Sequence, residues 1–266
     1  MTLPPPLALL WDVDGTLAET EMEGHRPAFN AAFAAAGLPW RWTVGTYRRL
    51  LAVAGGRERM ATYLGRMEGR PVSPQRLDDL QAVKQQAYAD LVAGGSIGPR
   101  AGVARLMEEA ARAGLIQGVV TTSSRTAVAA LARRCLPHLE SCCAFWICGE
   151  DVNAKKPAPD AYQLALARLQ AMGLGHGNDI GSRVLAIEDS ANGLLAAHGA
   201  GIGTLVTRSA SSAHESLAGF AAALAICDGL GDGHLPARVH RGPACPDGRI
   251  TLSWLRTLAR GANIRS

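Results

Sequence analysis

Short, continuous apolar runs alternate along this chain with longer segments in which apolar positions recur at helical spacing. The runs are 7–11 (LALLW), 115–121 (LIQGVVT), 143–148 (CAFWIC), 184–188 (VLAIE), 203–206 (GTLV) and 224–227 (LAIC). Each reads as a strand, and runs this apolar belong to strands covered on both faces. Between them, Val103, Leu106, Met107 and Ala110 fall at i, i+3, i+4 and i+7 within 101–113. Residues 126–134, 160–172 and 191–199 behave similarly. The alternation predicts an α/β fold with a Rossmann-like parallel sheet as its core. In such sheets ligands bind at the carboxyl ends of the strands.

One region breaks the pattern. Residues 20–93 hold no convincing strand and read as helices: PAFNAAFAAAG, VGTYRRLLAVAG, RERMATYLGRM and SPQRLDDLQAVKQQAYADLVAGG. Pro27 suits the first turn of the first of these, where its missing N–H costs nothing. The Gly/Pro-rich stretch GGSIGPR (94–100) closes the block. The expected division is a core of residues 1–19 and 97–266 with a helical cap, 20–96, inserted after the first strand. In the less patterned 236–266, ITLSWLRTLAR is expected to add a short strand or helix.

Composition narrows the class. With 48% hydrophobic and 19% charged residues, the 266-residue chain can fill a packed core. The net charge of +4 is spread without a dense Lys/Arg block, so no nucleic-acid partner is expected. Six cysteines occur, none in a CxxC pair, and CCAFWIC reads as a buried strand. They fit reduced core thiols of a cytoplasmic protein. The N-terminal stretch lacks the basic region of a leader. No run approaches the roughly 20 residues of a membrane span, so no membrane partner is expected. Trp11, Trp40, Trp42 and Trp146 are read as packing residues.

Four polar signals stand at the carboxyl ends of predicted strands: Asp12-Val13-Asp14-Gly15-Thr16, Thr121-Thr122-Ser123-Ser124, Lys156 in KKPAPD, and Glu188-Asp189-Ser190. Alone, each has an ordinary reading: a turn, a helix-capping run, a solvated lysine pair, an N-cap. A parallel sheet gathers them on one edge, and jointly they point to catalysis.

DxDGT, a Thr/Ser after a second strand, KPxPD and hhhEDS, in that order, resemble the haloacid-dehalogenase superfamily, with a helical cap after the first motif. PWRW, AGGRER and ETEMEGHR resemble its CbbY group, Calvin-cycle-associated phosphatases of sugar phosphates whose characteristic substrate is xylulose 1,5-bisphosphate, a RuBisCO-inhibitory sugar. The resemblance implies Asp12 as nucleophile, forming an aspartyl-phosphate, and Asp14 as the acid/base that protonates the leaving sugar oxygen. It implies Lys156 and Thr122 holding the transferring phosphate. It implies Mg²⁺ held by Asp12, Glu188, Asp189 and the Asp14 main-chain carbonyl, which suits an ion that prefers hard oxygen ligands. For Asp14 to give up a proton near neutrality, its pKa is expected above the ordinary value of about 3.9, through desolvation and neighbouring anions.

Specificity is expected from the cap: Glu21, His25, Arg57 and Arg59, with Ser123 on the core side. The arginines behind glycines in GGRER suit a second phosphate. ETEMEGHR is one residue longer than the group's usual pattern, so Glu21 and Glu23 both stand as candidates for the sugar hydroxyls. The partner is then a small-molecule sugar phosphate, and a monomer is expected. The rival readings are a β-phosphoglucomutase-like mutase, which shares the cap type and motifs, and a non-catalytic sugar-phosphate binder. The complete set Asp12, Asp14, Thr122, Lys156 and Asp189 argues against the binder.

Overall fold

The computed structural model describes residues 8–175 and 180–262. Leu7, the first residue of the expected first strand, lies outside them, as does most of the N-terminal stretch read for a leader.

Strand β1 (Ala8–Trp11) is fully buried and stops at Asp12. A π-helical turn, Glu21–His25, then leads into α1 (Arg26–Ala35), α2 (Val44–Leu50), α3 (Gly56–Glu68) and α4 (Pro74–Ala93). The chain returns through α5 (Val103–Arg112), β2 (Gln117–Val120), α6 (Arg125–Cys135), α7 (Leu139–Cys142) and β3 (Phe145–Ile147). It continues with α8 (Asp160–Ala171), β4 (Val184–Glu188), α9 (Ala191–Gly199), β5 (Gly203–Thr207), β6 (Ala225–Cys227), β7 (Val239–Arg241) and α10 (Leu252–Ala262). The sheet order is β3-β2-β1-β4-β5-β6-β7. All neighbours pair in parallel except β6 and β7.

This is the α/β fold expected. Residues alternate across β1: Leu9 and Trp11 join one hydrophobic cluster, Ala8 and Leu10 the other. The period of two fixes which face each side chain serves. The order reverses at β1, with β2 on one side and β4 on the other, and a crevice opens at such a switch point. The Asp12 N–H donates to the Ile187 carbonyl at 3.0 Å, which sets Asp12 beside the end of β4.

Two expectations change. The vicinal cysteines are not part of a strand: Cys142 ends α7, and β3 begins only at Phe145. The antiparallel β7 at the sheet edge escaped notice because it is three residues long and mostly exposed. ITLSWLRTLAR supplies α10, which packs Leu252, Leu255 and Leu258 onto the core. All six cysteines are free. Among the described residues no helix is long and apolar enough to cross a membrane.

The helical block between β1 and α5 has its own core: Phe29, Phe33, Trp42, Tyr47, Met60 and Leu64 are all buried. Trp42 sits against Phe29 and Phe33 at ring-centroid distances of 4.7 and 5.0 Å. Asn30 holds the Trp42 backbone on both sides, its Oδ1 accepting from the N–H at 2.7 Å. The block's entry and exit run side by side. Ala18 bridges both Asp14 and Pro99, and the Arg100 N–H donates to the Leu17 carbonyl at 2.9 Å.

Candidate active site

Asp12 is buried at the end of β1. Lys156, behind it, is committed three ways: its Nζ donates to Asp12 Oδ1 at 2.8 Å, Glu188 Oε1 at 2.6 Å and the Val120 carbonyl at 2.7 Å. Tyr162 on α8 donates to the same Glu188 oxygen at 2.5 Å. Burial and then the Glu188 charge push Asp12 well above the usual carboxylate range, against the pull of Lys156. Burial works against the Lys156 ammonium, but Asp12 and Glu188 raise it further than burial lowers it. The lysine is therefore a fixed cation at any ordinary pH.

Asp14, two residues on, is turned the other way. Its Oδ1 accepts from the Thr20 hydroxyl and lies 2.9 Å from His25 Nε2, while its Oδ2 accepts from the Ser123 hydroxyl. His25 is stacked on Tyr88 at 4.3 Å, and Lys84 Nζ stands 2.9 Å from its Nδ1. An ammonium at that point donates to Nδ1 and so places the ring hydrogen on Nε2, aimed at Asp14. Burial pushes Lys84 down to about 8.

The expected direction for Asp14 is corrected here. Burial does raise it, but His25, by charge and hydrogen bond, together with Ser123 and Thr20, outweighs burial and holds the carboxyl well below its ordinary value. Three donors converge on the ionised form. Asp14 at rest is a carboxylate.

The third carboxylate, Asp189, follows β4. Ser209 donates to its Oδ2 at 2.5 Å and Ser211 reaches the same oxygen at 3.2 Å. Burial, with Glu188 adding to it against the Ser209 hydrogen bond, raises Asp189 to about 8. Gly15 is what lets this carboxylate in: its φ is +85°, and a Cβ there would overlap Asp189 Oδ2. Gly193 makes room in the same way for the Glu188 carboxylate.

Asp12, Glu188 and Asp189 each offer an oxygen within 4.8 Å of the other two. Glu188 Oε2 is buried and has no hydrogen-bond partner. Three buried carboxylates against one ammonium, with an orphaned oxygen among them, fit a hard divalent cation. The Asp14 side chain is directed at the cap residues, so any share it takes in such a site falls to its main-chain carbonyl.

Two adjoining cavities open around these groups. One, of about 390 Å³, is lined by Asp12, Asp14, Lys156 and Asp189 with Arg48 and Arg49. The other, of about 310 Å³, is lined by Glu21, His25, Arg57, Arg59 and Ser123, all five residues expected to contact substrate, with Lys84 and Lys155. Thr122, Glu21 and Arg59 line both. The segment ETEMEGHR takes a π-helical turn over Glu21–His25, a geometry common at functional sites. It leaves Glu23 exposed and Glu21 facing the cavities, where it accepts from the Tyr47 hydroxyl.

The two arginines differ. Arg59 is buried and spent on structure: it donates to the Tyr47 hydroxyl at 2.8 Å and the Leu50 carbonyl at 3.1 Å. Arg57 holds only a surface pair with Asp78 at 2.8 Å and a long bond to the Pro74 carbonyl.

Thr20, Lys84, Tyr162 and Ser209 were not anticipated. Lys84 carried a signal, since it occupies a position of the buried stripe Leu77, Leu80, Lys84, Tyr88 on α4. Ser209 also follows a strand end.

With this geometry in hand, comparison defines the class. The chain belongs to the haloacid dehalogenase-like hydrolases, whose family model matches residues 7–201. It is an enzyme of that family, a phosphoric monoester hydrolase. Within the family its similarity is to the CbbY proteins. It is 43% identical over 213 residues to Protein CbbY of Cereibacter sphaeroides, covering 80% of this chain and 88% of that protein. It is 42% identical over 256 residues to the plasmid CbbY of Cupriavidus necator, covering 88% and 92%. Its fold matches a crystal structure of a CbbY mutant from Rhodobacter sphaeroides in complex with xylulose-1,5-bisphosphate at a TM-score of 0.74 and 41% identity, covering 84% of this chain and 94% of that one.

Proposed function

We propose that this chain is a Mg²⁺-dependent phosphatase that hydrolyses xylulose 1,5-bisphosphate to xylulose 5-phosphate, with the helical block 20–96 serving as a cap over a core of 1–19 and 97–266. The observation that carries the chemistry is the divergence of Asp12 and Asp14: one is held by Lys156 among core carboxylates, the other by His25 of the cap. The substrate rests on the 41% identity to the CbbY crystallised with that bisphosphate.

In this reading an Asp12 carboxylate oxygen attacks phosphorus in line and the bond from phosphorus to the sugar oxygen breaks. The departing oxygen takes a proton from Asp14. Water then attacks the aspartyl-phosphate, Asp14 takes its proton, and the Asp12–phosphorus bond breaks to release inorganic phosphate. Since Asp14 rests ionised, it must gain its proton as the dianionic substrate enters, and His25 stands within 2.9 Å to relay one. Lys156 holds Asp12 in place and sets a fixed positive charge beside the transferring phosphoryl group, and Thr122 lines the space where its oxygens would lie. Mg²⁺, held by Asp12, Glu188, Asp189 and the Asp14 carbonyl, would neutralise charge on the reacting phosphate.

The second phosphate is assigned to the cavity beside Arg57. Gly55, Gly56 and Arg57 line it at the N-terminus of the 13-residue α3, which has no side-chain cap, and Lys155 faces them from the core. Free N–H groups at a helix N-terminus attract phosphate. An exposed pair such as Arg57–Asp78 is worth at most about 1 kcal/mol and exchanges readily for a phosphate. Glu21, held by Tyr47 and Arg59 and lining both cavities, is assigned to the sugar hydroxyls. The test is phosphate release from paired pentulose mono- and bisphosphates with Mg²⁺ present. A clear preference for the bisphosphate is expected, and equal kcat/KM for the two would sink the substrate assignment.

A further inference from the structure

Beyond the groups that face the phosphate, the turn after β5 holds a cluster of hydroxyls with no part in the chemistry above. Ser209, Ser211 and Ser212 are all buried. Ser209 Oγ lies 2.5 Å from Asp189 Oδ2 and 2.6 Å from Ser211 Oγ, and Ser211 Oγ lies 3.2 Å from the same carboxylate oxygen. Among the described residues no hydrogen bond reaches Asp189 Oδ1. The turn itself is closed by Ser212, whose Oγ accepts from the Ser209 N–H at 2.9 Å, and by Ser209, whose Oγ accepts from the N–H groups of Ser211 and Ser212. It is clamped from outside as well. Arg48 of α2 donates to the Ala210 carbonyl at 3.1 Å, and Glu19, paired with Arg100, accepts from the Ala210 N–H.

We propose that Ser209, supported by Ser211, is a positioning residue for the metal: it ties down one oxygen of Asp189 so that the other is presented toward Asp12 and Glu188. This rests on the divalent-cation reading of that carboxylate trio. The physical argument is rotational. A carboxylate with neither oxygen fixed must be ordered by the ion itself, whereas one oxygen locked by two hydroxyls leaves the other pre-aimed, and the ion binds without that ordering cost. Mg²⁺ takes carboxylates through single oxygens in near-octahedral geometry, so a carboxylate with one oxygen engaged elsewhere suits it. The rigid outer clamp from Arg48 and Glu19 makes the turn a fixed anchor.

The experiment measures Mg²⁺ dissociation constants on the metal-free full chain, by competition with Mn²⁺ whose free-ion EPR signal reports binding without turnover. Ser209→Ala should weaken Mg²⁺ by about ten- to a hundredfold, the range found when a ligand's outer partner is removed. Ser211→Ala should do so by less. Ser212→Ala loosens the same turn but touches no Asp189 oxygen, so it should lower the melting temperature while holding the affinity within about twofold. Wild-type affinity in Ser209→Ala would overturn the proposal. So would an equal loss in Ser212→Ala, which would reduce the serines to turn stability. No binding by the wild-type chain would instead bring down the metal reading, and this proposal with it.

Discussion

Asp12 and Asp14 leave the same strand end two residues apart, yet their surroundings have opposite sign. Around Asp12 the core supplies two more carboxylates and one lysine, and burial drives its pKa up. Around Asp14 the cap and the 121–124 loop supply His25, backed by Lys84, and two hydroxyls, which drive it down. In the proposed mechanism the nucleophile is thus a property of the sheet edge, and the acid/base a property of where the helical block 20–96 lies. His25 comes from the helical block, whereas Lys156, Glu188 and Asp189 all come from the core side.

That contrast can be broken most severely at Asp12 itself. Asp12→Asn should keep the fold and cut turnover by at least about 10³, the scale of losing a covalent catalyst. Near-normal phosphate release from this variant with Mg²⁺ present would refute the nucleophile assignment. Next in size is His25→Ala, which should lower kcat by roughly 10². Its sharper signature is in pH: without His25, burial dominates and the Asp14 pKa rises, so the proton donor persists to higher pH and the alkaline limb of the kcat/KM profile moves upward. An unmoved limb would mean that the cap does not set the state of Asp14.

Arg57→Ala should reduce kcat/KM for the bisphosphate about tenfold while sparing the monophosphate, the expected loss of one charge-assisted contact of about 1.5 kcal/mol. Equal losses on both substrates would place Arg57 outside the second-phosphate site.

The smallest effect is a shift in melting temperature. Asp12 and Asp189 are raised in the fold, Asp189 to about 8. Without metal the native state keeps protons that the unfolded chain releases near pH 4, so their contribution to stability is lost as pH rises through about 8. A metal bound to the ionised forms opposes that loss. The rise in melting temperature on adding Mg²⁺ should therefore be larger at pH 8 than at pH 6. A rise that shrinks toward pH 8 would contradict the carboxylate assignment.

Much of the core side was legible because its residues are local to strand ends: Asp12, Thr122, Lys156 and Glu188-Asp189 can be placed once the strands are placed. The sheet order brings them together, as period and alternation predict. What stayed hidden depends on which helix face meets which loop. Lys84 pairs with a histidine in another element, and Tyr162 sits on an α8 face that reads as plain packing, beside Ala161, Ala165 and Leu169. The direction of the Asp14 pKa was misjudged for the same reason. Sequence shows the neighbouring anions, but the donors that outweigh them come from Thr20, the cap and the 121–124 loop, and only the folded chain shows them converging.

The adjacency of the two links to the cap has a consequence for how such a chain can be rebuilt. Ala18, a few residues beyond the end of β1, is bridged to Pro99, where the chain comes back before α5, and the Arg100 N–H donates to the Leu17 carbonyl beside it. The core therefore meets the intervening stretch as a closed loop, and the entropy of closing a loop grows only with the logarithm of its length. A segment of quite different size or content can be spliced between those two points without asking the sheet to move. On the proposed mechanism the detour is then an exchangeable module: the groups around Asp12 would stay with the sheet, while the residues facing the sugar, and the histidine beside Asp14, would travel with whatever is inserted.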